Sequence, residues 1–422
     1  MQFSKKKLKN GLTVVTVPMQ DNPTVTVLVL VETGSKYETK NLNGISHFLE
    51  HMCFKGTEKR PKAIDISREL DALGSQYNAF TAQEFTGYYA KAEARHFKQI
   101  FDVVSDVYLN STFPEVEIEK EKGVIVEEIN MYEDMPHRHV QDLVMELLYG
   151  NQPAGWNIAG TRENVKKMKR KDFVAYHALH YVPKATTLIV AGQVSPQIVL
   201  KEAERVFGGL LNGAKGVKQK VKERQAKPSM LIKYKKTDQS HFVLAFRSFD
   251  LFSNKNPALS VLGGILGGGM SSRLFQKLRE EMGVGYYVRA YEDAYTDHGF
   301  FQISAGVDNK RVNEVLTAVL SECKKLSTEL VPDDELKKVQ DYIVGNMKLD
   351  LESSDSIAHF HGLQDILKKD IKTMDEKARE IYQVTSKDVL KIAKEIFKDR
   401  GMNLALIGPV KNKLPIAKIL KL

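Results

Sequence analysis

The chain has 422 residues, is 42% hydrophobic and 27% charged, and carries a formal net charge of +9 from 62 basic against 53 acidic residues. That length exceeds one ordinary core and suits two to four globular domains. No apolar run approaches the ~20 residues of a membrane span. The basic surplus sits in short runs, 166–171 and 215–227, without the aromatic-interleaved stripe or known module of a nucleic-acid binder. Membrane and nucleic acid are therefore both set aside as partners.

In chain order, the start Met1-Gln2-Phe3-Ser4-Lys5-Lys6-Lys7 is charged but leads into no apolar h-region, so no signal peptide is read. Thr13–Val17 reads as a strand after an Asn10-Gly11 turn, and Thr24–Val31 as an alternating strand. Two cysteines, Cys53 and Cys323, cannot build a disulfide framework, which fits a reducing, cytoplasmic location. The most informative stretch follows, Ser46-His47-Phe48-Leu49-Glu50-His51. His47 and His51 stack one turn apart on one helical face, so both can reach a single metal ion at about 2.0–2.1 Å. Glu50 stands beside them, placed to accept a proton from an attacking water as general base. The order His-x-x-Glu-His inverts the commoner zinc-peptidase motif and is the inverzincin signature. The helical period carries Cys53 off this face and into packed core.

A catalytic zinc normally takes three protein ligands and keeps one position open. Strands around Tyr77–Lys91 precede a helix after Pro114 that is rich in carboxylates: Glu115, Glu117, Glu119, Glu121, Glu127, Glu128 and Glu133. Glu121 and Glu128 share a face two turns apart, whereas Glu127 turns about 100° away. Periodicity nominates the Glu121/Glu128 face without choosing between the two. The pairs His137/His139, His177/His180 and His359/His361 lack an adjacent catalytic carboxylate and read as surface or packing residues.

The chain also reads as two copies of one plan. Lys171-Asp172-Phe173-Val174, a helix and Thr187–Gly192 recur as Lys387-Asp388-Val389-Leu390, a helix and Asn403–Gly408. Strand His241–Phe246 answers Thr24–Val31, strands around Tyr286–Val307 answer Tyr77–Lys91, and a helix after Pro332 answers that after Pro114. The expected fold is α+β: two homologous domains, 1–212 and 213–422, each a mostly antiparallel sheet with helices packed on one face. A Gly-, Lys- and Gln-rich stretch, 208–227, has the composition of the linker.

The run Gly44-Ile45-Ser46-His47-Phe48-Leu49-Glu50-His51-Met52-Cys53-Phe54-Lys55-Gly56-Thr57 closely resembles the motif of the pitrilysin-like zinc metallopeptidases, which include insulin-degrading enzyme and the mitochondrial processing peptidase. The resemblance covers essentially the whole chain, with motifs in family order, as in a short, bacterial-type member. It implies that His47 and His51 are zinc ligands and Glu50 the base. The family's spacing lands on Glu128 as third ligand, leaving Glu121 to support the site and Glu127 as a non-ligand. Asn78-Ala79-Phe80-Thr81 resembles the edge strand that pairs with substrate backbone by β-augmentation. Ile265–Phe275 looks like the family's glycine-rich turn; it lacks the Gly-Lys-Ser/Thr ending of a phosphate loop. Arg279 and Tyr286 match the pair that approaches the scissile bond, Arg279 anchoring substrate and Tyr286 donating to the oxyanion. In the second half Asn346 stands opposite Glu128, so the repeat implies one metal half and one substrate half. The resemblance thus implies an endopeptidase with one zinc per chain, cutting short or unfolded peptides in a chamber, most simply in a homodimer. Its alternatives are a heterodimer with an inactive homologue and a non-catalytic structural or assembly subunit.

Overall fold

A computed structural model describes residues 2–422. The chain divides into two compact units, and neither is contiguous. The first takes the chain up to Asn130, Trp156–Gln219 and Lys348–Thr373; the second takes Met131–Gly155, Lys220–Met347 and Met374–Leu422. Relative to the contiguous halves 1–212 and 213–422, the difference lies in two exchanged segments, and the chain passes from the first unit to the second after Gln219.

The first unit holds six strands, β1 (Ser4–Lys7), β2 (Thr13–Pro18), β3 (Thr24–Val31), β4 (Gln76–Thr81), β5 (Thr86–Glu93) and β6 (Thr186–Gly192), in the order β1-β2-β6-β3-β5-β4. Only β2 and β6 run parallel. The second unit holds β7 (Ser229–Tyr234), β8 (Gln239–Arg247), β9 (Gly285–Ala294), β10 (Gly299–Asp308) and β11 (Met402–Gly408), in the order β7-β11-β8-β10-β9. Here β7 and β11 are the parallel pair. Matching β2-β6-β3-β5-β4 to β7-β11-β8-β10-β9 puts the parallel pair in the same place, so the sequence repeat is also a topological one.

The exchange follows from strand chemistry. In β3, Val25, Val27, Val29 and Val31 face the main helical core, while Leu28 and Leu30 face the opposite side. Both rows are apolar, so both faces need cover. The helix Ser354–Lys368 supplies it with Ile357, Ala358 and Ile366. It is pinned by Thr187 Oγ1 donating to Asp365 Oδ2 at 2.7 Å and by Lys91 paired with Asp355 at 2.7 Å. In the second unit the helix Pro136–Tyr149 plays the same part, with Val140, Val144 and Leu148 against Val243, Ala245, Ala405 and Ile407. Among the described residues no helix is long and apolar enough to cross a membrane.

Candidate metal centre

The helix Ile45–Cys53 is amphipathic by position: Ile45, Phe48, Leu49, Met52 and Cys53 are buried, which turns His47, Glu50 and His51 to the other side. Phe48 meets the Phe173 ring edge-on at 4.7 Å between centroids. The helix Glu115–Asp134 buries Ile118, Glu121, Ile125 and Ile129. That period brings Glu121 and Glu128 to the histidines and leaves Glu127 exposed, hydrogen-bonded only within its own helix to Asn130.

His47 Nε2 and His51 Nε2 lie 3.3 Å apart, and each is 3.6 Å from Glu128 Oε2. Ligands at about 2.05 Å from a tetrahedral zinc stand about 3.3 Å from one another, so these three atoms span one face of such a site. Among the described residues they are the one group of histidine, cysteine or acidic side chains close enough to hold a metal ion. The donor set, two imidazoles and a carboxylate, suits zinc.

His51 Nδ1 lies 2.9 Å from Glu121 Oε1. An ionised carboxylate can only accept, so the ring proton sits on Nδ1 and Nε2 keeps its lone pair for a metal. Glu121 Oε2 is paired in turn with Lys55 Nζ at 2.6 Å. Burial opposes the charge on Glu121, but the hydrogen bonds from His51 and Lys55 outweigh it and lower its pKa. Burial likewise opposes protonation of His51, and its bond to Glu121 with the charges of Glu50 and Glu128 raises the pKa on balance. His47, more deeply buried and beside His51, is pushed down to about 3. Burial raises the Glu50 carboxyl, with Thr81 and His51 pulling it back. Its buried Oε2 has no hydrogen-bond partner among the described residues.

Asn78, Ala79 and Phe80 lie on β4, the edge of the first sheet, which runs beside the His47 helix. They pair with Tyr89, Tyr88 and Gly87 of β5, and the far side of β4 has no strand partner among the described residues. Phe80 turns inward against Phe85, Tyr89 and His359. Arg279 and Tyr286 belong to the second unit: Arg279 Nη1 donates to Gly285 O at 3.3 Å, and Tyr286, at the start of β9, is 64% exposed. Asn346 occupies the helix Asp333–Asp350 and donates to Tyr342 O. Of the other paired histidines, His139, His180 and His361 are buried, His137 is exposed, and His177 Nε2 lies 3.0 Å from Tyr108 O. Cys53 is wholly buried. Lys55 carries no signal of its own in the sequence; its place one turn beyond His51 is the cue that would find it.

Residues 13–162, which hold all three ligand candidates, match the family model for Insulinase (Peptidase family M16). Residues 167–343 match the Peptidase M16 inactive domain. An uncharacterized zinc protease of Bacillus subtilis is 36% identical over 407 residues, 96% of this chain and 98% of its own. One from Streptomyces coelicolor is 32% identical over 96% of this chain and 89% of its own. Among solved structures, a protease from Helicobacter pylori superimposes with a TM-score of 0.91 at 23% identity, covering 97% of this chain and 99% of its own. A Pseudomonas fluorescens peptidase M16 inactive domain gives 0.87 at 18%, covering 97% and 99%. The two structures share the fold, the sequence relatives share more than that, and the chain belongs to the insulinase family of M16 peptidases.

Proposed function

We propose that the chain is a zinc endopeptidase acting on short or unfolded peptides, with His47, His51 and Glu128 holding one zinc ion. The observation that carries this is the 3.3, 3.6 and 3.6 Å triangle of His47, His51 and Glu128 atoms, with the tautomer of His51 set by Glu121. Bound zinc would supply Lewis-acid polarisation of the scissile carbonyl and acidify the attacking water. Glu50 accepts the proton that this water gives up and delivers it to the nitrogen of the departing amine. The free edge of β4 at 78–80 takes the substrate main chain as an added strand, so affinity comes from backbone hydrogen bonds. Tyr286 donates its hydroxyl to the oxyanion, and Arg279 anchors the substrate. These second-unit groups act in a chamber closed by dimerisation. A homodimer is the simplest form, because one chain carries both sets of residues.

One observation favours a second reading: the match of 167–343 to an inactive domain suits a subunit that works beside another chain. Cleavage of a quenched fluorescent peptide by wild type and Glu50→Gln separates the two, each before and after chelation and zinc return, with metal content and sedimentation on the same samples. The peptidase reading expects chelator-sensitive cleavage by wild type. It also expects Glu50→Gln to keep its zinc and lose about 10²–10⁴-fold in rate. Zinc-loaded wild type that cuts nothing would shift the reading to a subunit needing an active or complementary partner.

A further inference from the structure

The helix that carries His47, Glu50 and His51 begins without a cap of its own. Its N-cap is Gly44, at φ 101°, which has no side chain to accept the first N–H groups. Glycine is required there, because a Cβ would stand 2.7 Å from Ala159 O and 2.9 Å from Gly160 Cα. The missing acceptor comes from outside the helix. Glu38, 5% exposed, accepts from Ser46 N at 2.8 Å on Oε1, and from Gly44 N at 2.8 Å and Asn43 Nδ2 at 2.9 Å on Oε2. Burial pushes the Glu38 carboxyl up to about 7 against the pull of its hydrogen bonds from Ser46, Gly44 and Asn43, and in its ionised form it also complements the helix dipole.

Glu38 is itself anchored. It follows a single turn, Ser35–Tyr37, that is tied to the β4–β5 connection: Ser35 N donates to Ala82 O at 3.2 Å and Lys36 N to Gln83 O at 2.9 Å. Lys36, 1% exposed, pairs with Glu84 at 3.0 Å. Gly34 lies so close to this connection that a Cβ would sit 2.1 Å from Ala82 O. Ser46 adds a second tie, its Oγ 2.8 Å from Tyr176 Oη, which is 2.9 Å from Thr33 Oγ1. The segment from Gly34 to Glu38 is therefore a fixed strut from the end of the edge strand to the first turn of the metal-site helix.

We propose that Glu38 is a positioning residue of the metal site: its carboxylate caps the His47 helix from outside and holds His47 and His51 in the geometry that binds the ion. This rests on the metal-site reading above, and it assigns Glu38 no contact with metal or substrate. A merely structural Glu38 would change the folded fraction and leave the folded protein's affinity for zinc untouched. A positioning Glu38 changes that affinity.

The test is zinc affinity by chelator competition on wild type and Glu38→Gln, at a temperature where near-ultraviolet circular dichroism shows both folded. The visible spectrum of the cobalt-substituted proteins is recorded in parallel. Expected is a loss of about 3–30-fold in affinity for Glu38→Gln, the range a lost cap gives when expressed at the site, with an altered cobalt spectrum. An unchanged affinity and spectrum overturn the proposal while leaving the metal site standing. If wild type itself takes up no zinc, the reading of the site falls and the proposal with it. Should Glu38→Gln not fold, Glu38→Asp takes its place, keeping the charge but withdrawing it by one methylene. A weakened affinity in the folded Asp variant supports the role, and a wild-type affinity overturns it.

Discussion

Replacing Glu121 by Gln tests whether the support of His51 matters to the metal. Glu121 is 5% exposed and meets two donors, His51 Nδ1 at 2.9 Å and Lys55 Nζ at 2.6 Å. The amide oxygen of Gln can still accept from His51, but as a neutral acceptor, and its NH₂ then faces the Lys55 ammonium, donor against donor. Hydrogen bonds to charged groups contribute about 1.5–3 kcal/mol against 0.5–1.5 for neutral ones, so the expected loss is about 1–2 kcal/mol. If expressed in metal binding, that is about 5–30-fold in zinc affinity, within reach of the 10–100-fold typical of groups that orient metal ligands. The assay is chelator competition with metal analysis on protein shown to be folded. Glu127→Gln, altered on the exposed side of the same helix, is the control and should bind zinc as wild type does. A Glu121→Gln affinity within two-fold of wild type would mean that His51 is oriented by packing alone, and the argument from its tautomer would fail.

Three further outcomes are expected. Phe48→Ala, which empties a fully buried site against Phe173, should lower unfolding free energy by about 3–5 kcal/mol in urea denaturation; a loss below 1 kcal/mol would contradict the packing described. His180, against the Tyr176 ring and covered by Gly216, is pushed by burial from 6.5 to about 4. The unfolded chain therefore takes that proton first, so the contribution is full above pH 6.5 and lost as pH falls towards 4, about 2 kcal/mol by pH 5. The slope of stability against pH should flatten over this window in His180→Phe, and an unaltered slope would refute it. Tyr286→Phe should lower kcat about 10²-fold or more with little change in KM if its hydroxyl acts only in the transition state. An equal rise in KM at constant kcat would make Tyr286 a binding residue instead.

Much of the centre was legible because it is local. His47, Glu50 and His51 fall on one helical face by spacing alone, and the same period puts Glu121 and Glu128 on one side of their helix with Glu127 on the other. The nomination of Glu128 over Glu121 as ligand candidate was not legible from periodicity, since both share that face; it came from the family resemblance, and Glu128 Oε2 stands 3.6 Å from each imidazole. Lys55 and Glu38 were invisible as participants, because a lone charged residue signals nothing until its partner from another element is known.

The two similar sheets were likewise foreshadowed by the repeat, but their parallel pairs and the ownership of two helices were not. Ser354–Lys368 and Pro136–Tyr149 are amphipathic segments that any apolar sheet face could accept, and nothing in their own period says which. Local pattern determined the helix that presents His47, Glu50 and His51 and the duplication, because spacing along a helix or strand is set by backbone geometry. Tertiary structure alone decided which helix closes each sheet and which carboxylate meets His51 and which caps its helix, because those depend on burial and hydrogen bonding between residues far apart in the chain.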